Sequence, residues 1–119
     1  MAHEILVIDE NRLTRWSFAK MLTRFGYTVR EATTAADGLA CTKEAAPDLV
    51  LVDMCLLDTA GSTALQRLRQ RCPGLPVVVM SADATTDTLR YMRRLGAYGF
   101  LAKPCAAVLL QGLVAYLLL

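Results

Sequence analysis

Apolar and polar positions alternate in blocks along this chain rather than residue by residue. Four short runs are almost wholly apolar: Ile5-Leu6-Val7-Ile8, Leu49-Val50-Leu51-Val52, Val77-Val78-Val79-Met80 and Phe100-Leu101. Unbroken runs of this length read as strands buried on both faces, as in the middle of a parallel sheet. A fifth stretch, 27–32, alternates Tyr27 and Val29 with Thr28 and Arg30, which suits a less buried edge strand. Between the strands the apolar spacing becomes helical. Thr14, Phe18, Met21, Leu22 and Phe25 form the inward face of a helix over 11–25, opened by Asn11 and stopped by Gly26. A second helix is expected over 35–45, ended by Pro47. A third follows Gly61 with Ser62 or Thr63 as cap and Leu65 and Leu68 inward. A fourth starts at Thr85 or Thr86, turns Leu89, Met92 and Leu95 inward and ends at Gly96. A fifth begins at Cys105 and is apolar on more than one face, through Val108, Leu109, Leu113 and Tyr116.

Five strands alternating with five helices predict an α/β fold, a doubly wound five-stranded parallel sheet joined by right-handed crossovers. The 119 residues fit one domain, 1–119. With strand order 2-1-3-4-5, the reversal lies between strands one and three, and functional residues belong outside the carboxyl ends of the strands there. Each strand delivers a polar group at that end: Asp9 and Glu10 after the first, Asp53 after the third, Ser81 after the fourth and Lys103 after the fifth.

Converging carboxylates repel, and a hard, partly hydrated divalent cation relieves the repulsion. Asp9, Glu10, Asp53 and the carbonyl of Cys55 are the expected ligands of a magnesium ion. Asp53 then has a free oxygen with which to act as a carboxylate nucleophile toward a phosphoryl group. Lys103 and Ser81 would neutralise and hydrogen-bond the transferred oxygens.

Charge and cysteine content narrow the alternatives. A net charge of +2 is too small to imply direct binding of nucleic acid by this domain. Cys41, Cys55, Cys72 and Cys105 form no Cys-x-x-Cys pair, and His3 is the sole histidine, so a zinc site is not expected; free thiols fit the cytoplasm. The uncharged C-terminal stretch from Cys105 is shorter than the roughly 20 residues a membrane span needs.

Asp9-Glu10, Asp53, Gly61, Ser81-Ala82, Gly96-Ala97 and Phe100-Leu101-Ala102-Lys103-Pro104, in this order and on these elements, resemble the receiver domain of two-component response regulators along essentially the whole chain. The resemblance implies phosphorylation of Asp53 by the phosphohistidine of a sensor histidine kinase or phosphotransfer protein. It implies switch roles for Ser81 and Phe100, a cis peptide before Pro104, and lifetime tuning of the phosphoryl group by Cys55 and Asp83. The output would be a changed surface of helix four, strand five and helix five, acting on a partner, an appended effector or a second copy, rather than turnover as an enzyme. The segment 13–18, Leu-Thr-Arg-Trp-Ser-Phe, is similar to the first helix of receivers on enhancer-binding transcriptional activators.

The pattern departs from the family at Glu10, usually aspartate, and at Leu57, where proline is usual. These departures leave open a pseudo-receiver that binds protein without phosphorylation. Phe100 reads either as a switch or as static core. Leu13, Arg15 and Trp16, off the inward stripe of the first helix, read either as a solvated face or as a kinase dock.

Overall fold

A computed structural model describes residues 2–56 and 58–119. Its ten elements alternate without exception. They are β1 (Glu4–Ile8), α1 (Arg12–Arg24), β2 (Thr28–Ala32), α2 (Ala35–Glu44), β3 (Leu49–Asp53), α3 (Gly61–Arg71), β4 (Val77–Ser81), α4 (Thr86–Arg94), β5 (Gly99–Ala102) and α5 (Ala107–Leu117). The strands form one parallel sheet in the order β2-β1-β3-β4-β5. The expected order is therefore observed, with β2 at an edge.

The sheet separates two cores, which explains why its central strands are apolar at every position. Leu6, Ile8, Val50, Val52, Val77 and Val79 face Ala64, Leu65, Leu68 and Met92 of α3 and α4. Ile5, Val7, Leu49, Leu51, Val78 and Met80 face Phe18 and Leu22 of α1 and Leu110 and Val114 of α5. The strand period of two sends alternate residues to opposite sides. On β2 the same period turns Val29 toward the α1 side, while Arg30 donates to the Cys41 and Ala45 carbonyls at the end of α2.

Asn11 caps α1 as expected, Thr85 caps α4 at its expected start, and Thr34, not foreseen, caps α2; each accepts from the backbone N–H three residues on. The expected cap of α3 is overturned. Neither Ser62 nor Thr63 caps α3; the helix already begins at Gly61, and Ala60 precedes it with no side-chain cap. The reason is a close approach. Gly61 N–H donates to the Met54 carbonyl at 2.8 Å, and a Cβ at Gly61 would meet Met54 Cα and lie 2.7 Å from the Asp53 carbonyl oxygen. A residue without a side chain lets α3 start directly against the end of β3.

Other differences are of one or two residues. β2 starts at Thr28, β4 includes Ser81, β5 runs to Ala102, and α5 starts at Ala107 rather than at Cys105. The outer face of α5 stays exposed at Val108, Leu109 and Tyr116; only Leu110 and Val114 are buried. No helix among the described residues is long and apolar enough to cross a membrane. Leu57, one of the two departures from the expected pattern, lies outside the described residues.

Candidate functional site

The carboxyl ends of β1, β3, β4 and β5 bring Asp9, Asp53, Ser81 and Lys103 together. Asp9 is fully buried and Asp53 nearly so. Burial is possible because a cation is supplied from the far end of the chain. Lys103 Nζ donates to Asp9 Oδ2 at 2.6 Å and lies 3.2 Å from Asp53 Oδ2. Lys103 is held in place by its own backbone, whose N–H donates to the Ser81 carbonyl at 2.8 Å. The peptide between Lys103 and Pro104 is cis, as expected.

Asp9 is satisfied at every polar atom. Its N–H donates to the Ala32 carbonyl, its Oδ1 accepts from Asn11 N–H at 2.9 Å, its Oδ2 accepts from Lys103, and its carbonyl accepts from Arg15 Nη1 at 2.9 Å. Asp53 is less occupied. Besides Lys103, it has a long contact of 3.4 Å from Cys55 N–H to Oδ1. Burial pushes its carboxyl above the ordinary value near 3.8; Lys103 pulls it down, and the charge of Asp9 adds to the rise. Two buried carboxylates thus share one ammonium.

That donor set suits a hard divalent cation. Among the described residues no three His, Cys, Asp or Glu side chains converge on one metal position. Magnesium does not require such a cage, because it keeps several waters and uses one or two carboxylates. Asp9, Asp53 and the chain turning back at Cys55 provide that number. Glu10 is half-buried and follows Asp9 directly, but its side chain makes no hydrogen bond among the described residues.

The remaining predicted residues divide clearly. Ser81 is buried, and its hydroxyl both donates to the Asp83 carbonyl at 3.0 Å and accepts from Asp83 N–H at 2.9 Å. It is Asp83's backbone that engages Ser81; the residue itself is exposed, as is Cys55. Phe100 pairs in register with Val79 and packs, half-buried, on the α3 and α4 side of the sheet. Leu13 and Trp16 are 77% and 57% exposed on α1. Leu13 stands between two grooves: one of about 580 Å³ lined by Arg12, Arg15, Trp16 and Glu31, the other of about 430 Å³ reaching Lys103, Pro104 and Cys105.

The model of the response regulator receiver domain matches residues 5–115, which contain every one of these groups. The chain belongs to the response regulator receiver domain family. It is therefore a domain of the two-component signalling type. It is 36% identical over 103 residues to the DNA-binding transcriptional regulator NtrC of a Bradyrhizobium strain, covering 87% of this chain and 22% of that protein. It is 30% identical over 100 residues to NtrC of Proteus hauseri, covering 84% and 21%. The receiver domain thus spans about a fifth of the length of these relatives. Among solved structures it resembles the receiver domain of NtrX from Brucella abortus, at 33% identity and TM-score 0.91, over 96% of this chain and 97% of that one.

Two contributions to this receiver site were not foreseen from the sequence. Asp58, in the loop after Asp53, accepts from Ala35 N–H and Ala36 N–H with its two oxygens, at 3.0 Å each, and so ties that loop to the start of α2. These bonds hold its carboxyl below the ordinary range. Glu31 accepts from Arg15 Nε at 3.0 Å. The strand period placed Glu31 with Val29 on the α1 side, which was a usable signal for a partner on α1.

Proposed function

We propose that this domain is a phosphoacceptor switch in which Asp53 takes a phosphoryl group from the phosphohistidine of a histidine kinase or phosphotransfer protein. The observation that carries the reading is the buried Asp53 carboxylate beside Lys103 at 3.2 Å, at the reversal of strand order, with one ammonium shared between two acids. A carboxylate oxygen of Asp53 attacks phosphorus, the P–N bond to the donor imidazole breaks, and the electron pair leaves with that nitrogen. The product is an acyl phosphate on Asp53.

Asp9, Asp53 and the Cys55 carbonyl would hold magnesium, with Glu10 directly or through water. The ion when bound supplies positive charge to the phosphoryl oxygens. The chain's own residues supply the rest. Lys103 holds the acceptor in place and offers its ammonium to the phosphoryl group. Ser81 exchanges its bonds to Asp83 for one to a phosphoryl oxygen. Phe100, packed half-buried next to α4, moves with it and alters the surface of α4, β5 and α5. Cys55 and Asp83, both exposed at the mouth, set how readily water reaches the acyl phosphate. The exposed Leu13 ridge beside Lys103 is the docking side for the donor, with Trp16 next to it. The domain acts by binding, in the cytoplasm, and is not a turnover enzyme. Its output, by analogy with NtrC-named relatives, is control of transcription through a partner, an appended effector or a second copy.

Treatment with acetyl phosphate and magnesium should add one phosphoryl mass to the wild type and none to Asp53→Asn. Labelling that survives Asp53→Asn would overturn the assignment. The pseudo-receiver alternative draws on Glu10, which makes no bond into the site; a magnesium titration without response would favour it.

A further inference from the structure

Arg15 was grouped by sequence with the exposed Leu13 and Trp16, yet its side chain is only 17% exposed. Its planar fork is spent inside the molecule. Nε donates to Glu31 Oε1 at 3.0 Å, and Nη1 donates to the Asp9 carbonyl at 2.9 Å. The two acceptors lie at the carboxyl ends of neighbouring strands, since β1 and β2 pair in parallel with Val7 opposite Glu31. Arg15 N–H also donates to the Asn11 carbonyl at 2.9 Å, and Asn11 N–H donates to Asp9 Oδ1. The short turn from β1 into α1 is therefore fixed from three directions. Only one of these, the guanidinium, spans from α1 to the end of β2.

We infer that Arg15 is a positioning residue: its Glu31-anchored guanidinium holds the main chain of Asp9, and so aims the Asp9 carboxylate at the magnesium position, instead of serving as a docking side chain. This rests on the reading of Asp9 and Asp53 as metal-holding residues. Glu31 keeps the fork oriented, because a guanidinium bonded at one end only is free to rotate away. Lysine in its place keeps the charge and loses the two-point geometry. Loss of partners that orient metal ligands costs roughly 10–100-fold in metal affinity, and the same scale is expected here.

Removing Arg15 alone also removes a positive charge near two carboxylates, which by itself would strengthen cation binding. The double variant Arg15→Ala with Glu31→Ala keeps the net charge and deletes the brace. Magnesium binding to the 119-residue chain, measured by calorimetry, should weaken roughly tenfold in the double variant and several-fold in Arg15→Lys. Without any metal, the Asn11 amide should exchange its hydrogen faster in both, and the change should be confined to the β1–α1 turn. Glu31→Gln leaves α1 untouched and covers the case in which the Arg15 variants unfold; because losing its charge alone weakens cation binding, its deciding readout is faster Asn11 exchange without metal. In labelling by acetyl phosphate, the magnesium needed for half-maximal rate should rise by more than the maximal rate falls. Unchanged magnesium affinity and unchanged Asn11 exchange, with loss only of transfer from a kinase, would overturn the inference and make Arg15 a docking residue. Wild-type affinity in Arg15→Lys would overturn the two-point geometry. A wild type that binds no magnesium would remove the metal-site reading and this inference with it, whereas a wild type that binds with all variants unaffected removes the inference alone.

Discussion

The carboxyl end of the sheet and the outer faces of α1 and α5 are built on opposite terms. At the sheet end the buried polar groups are spoken for: Asp9 at all four polar atoms, Asp53 by Lys103 and Cys55, and Ser81 by Asp83. On the outer faces Leu13, Trp16, Val108, Leu109 and Tyr116 stand exposed to solvent. The first region holds a small number of charges at fixed positions, which chemistry requires. The second offers apolar area that gains its energy only when something covers it. Arg15 sits on the border and belongs, by its bonds, to the first.

The largest expected effect breaks the first region at its acceptor. Asp53→Asn should abolish phosphoryl labelling, and in chelator it should also raise thermal stability at neutral pH. The sign follows from the raised carboxyl. The folded protein binds that proton more tightly than the unfolded chain does. Asp53 therefore costs stability as pH climbs from about 3.8 through its raised value, and the cost stays above it. The stabilisation by Asp53→Asn should shrink as the pH is lowered toward 3.8 and vanish below it; melting curves across that range check it.

Next comes the shared cation. Lys103→Met leaves two buried acids without their cation, and breaking a buried pair of this kind costs about 3–5 kcal/mol. Denaturant melts should show that loss near neutral pH. The loss should be smaller when Asp53→Asn is already present, because one of the two stranded charges is then gone.

A smaller effect distinguishes the second region. Trp16→Ala and Leu13→Ala should slow transfer from a cognate kinase by about tenfold, the scale of losing one well-packed interface side chain. Labelling by acetyl phosphate should change far less, and comparing the two donors is the measurement. Smallest is the loop tether: Asp58→Ala should lower the melting temperature modestly. Because bonds to Ala35 and Ala36 depress the Asp58 carboxyl, its contribution is complete above the ordinary carboxylate range and is lost as pH falls through the depressed value. The difference from wild type should close in strong acid.

What could be read from the sequence tracks this same division. β3 was legible to the residue because both its faces are buried, and burial leaves a continuous apolar run that a single acid ends. Asp9, Asp53, Ser81 and Lys103 were legible because parallel strands put their carboxyl ends side by side. The cap of α3 was misread because a local rule, hydroxyl at the cap, lost to a tertiary one, the approach of Gly61 to Met54. Arg15 and Asp58 escaped because each acts on a backbone group of another element, and a charged side chain carries no mark of which backbone it will reach; Glu31, which strand parity did turn toward α1, acts on the Arg15 side chain.

Asp53 is the proposed source of the acyl oxygen in the acyl phosphate. Borohydride reduces an acyl phosphate to the alcohol, converting the modified aspartate into homoserine, which peptide mass spectrometry can place. After acetyl phosphate and magnesium, homoserine should be found at position 53 and not at position 9, with no 5-hydroxynorvaline, the product that glutamate would give, at position 10. Homoserine at position 9, 5-hydroxynorvaline at position 10, or no reduced residue in a protein shown to carry the phosphoryl group, would contradict it.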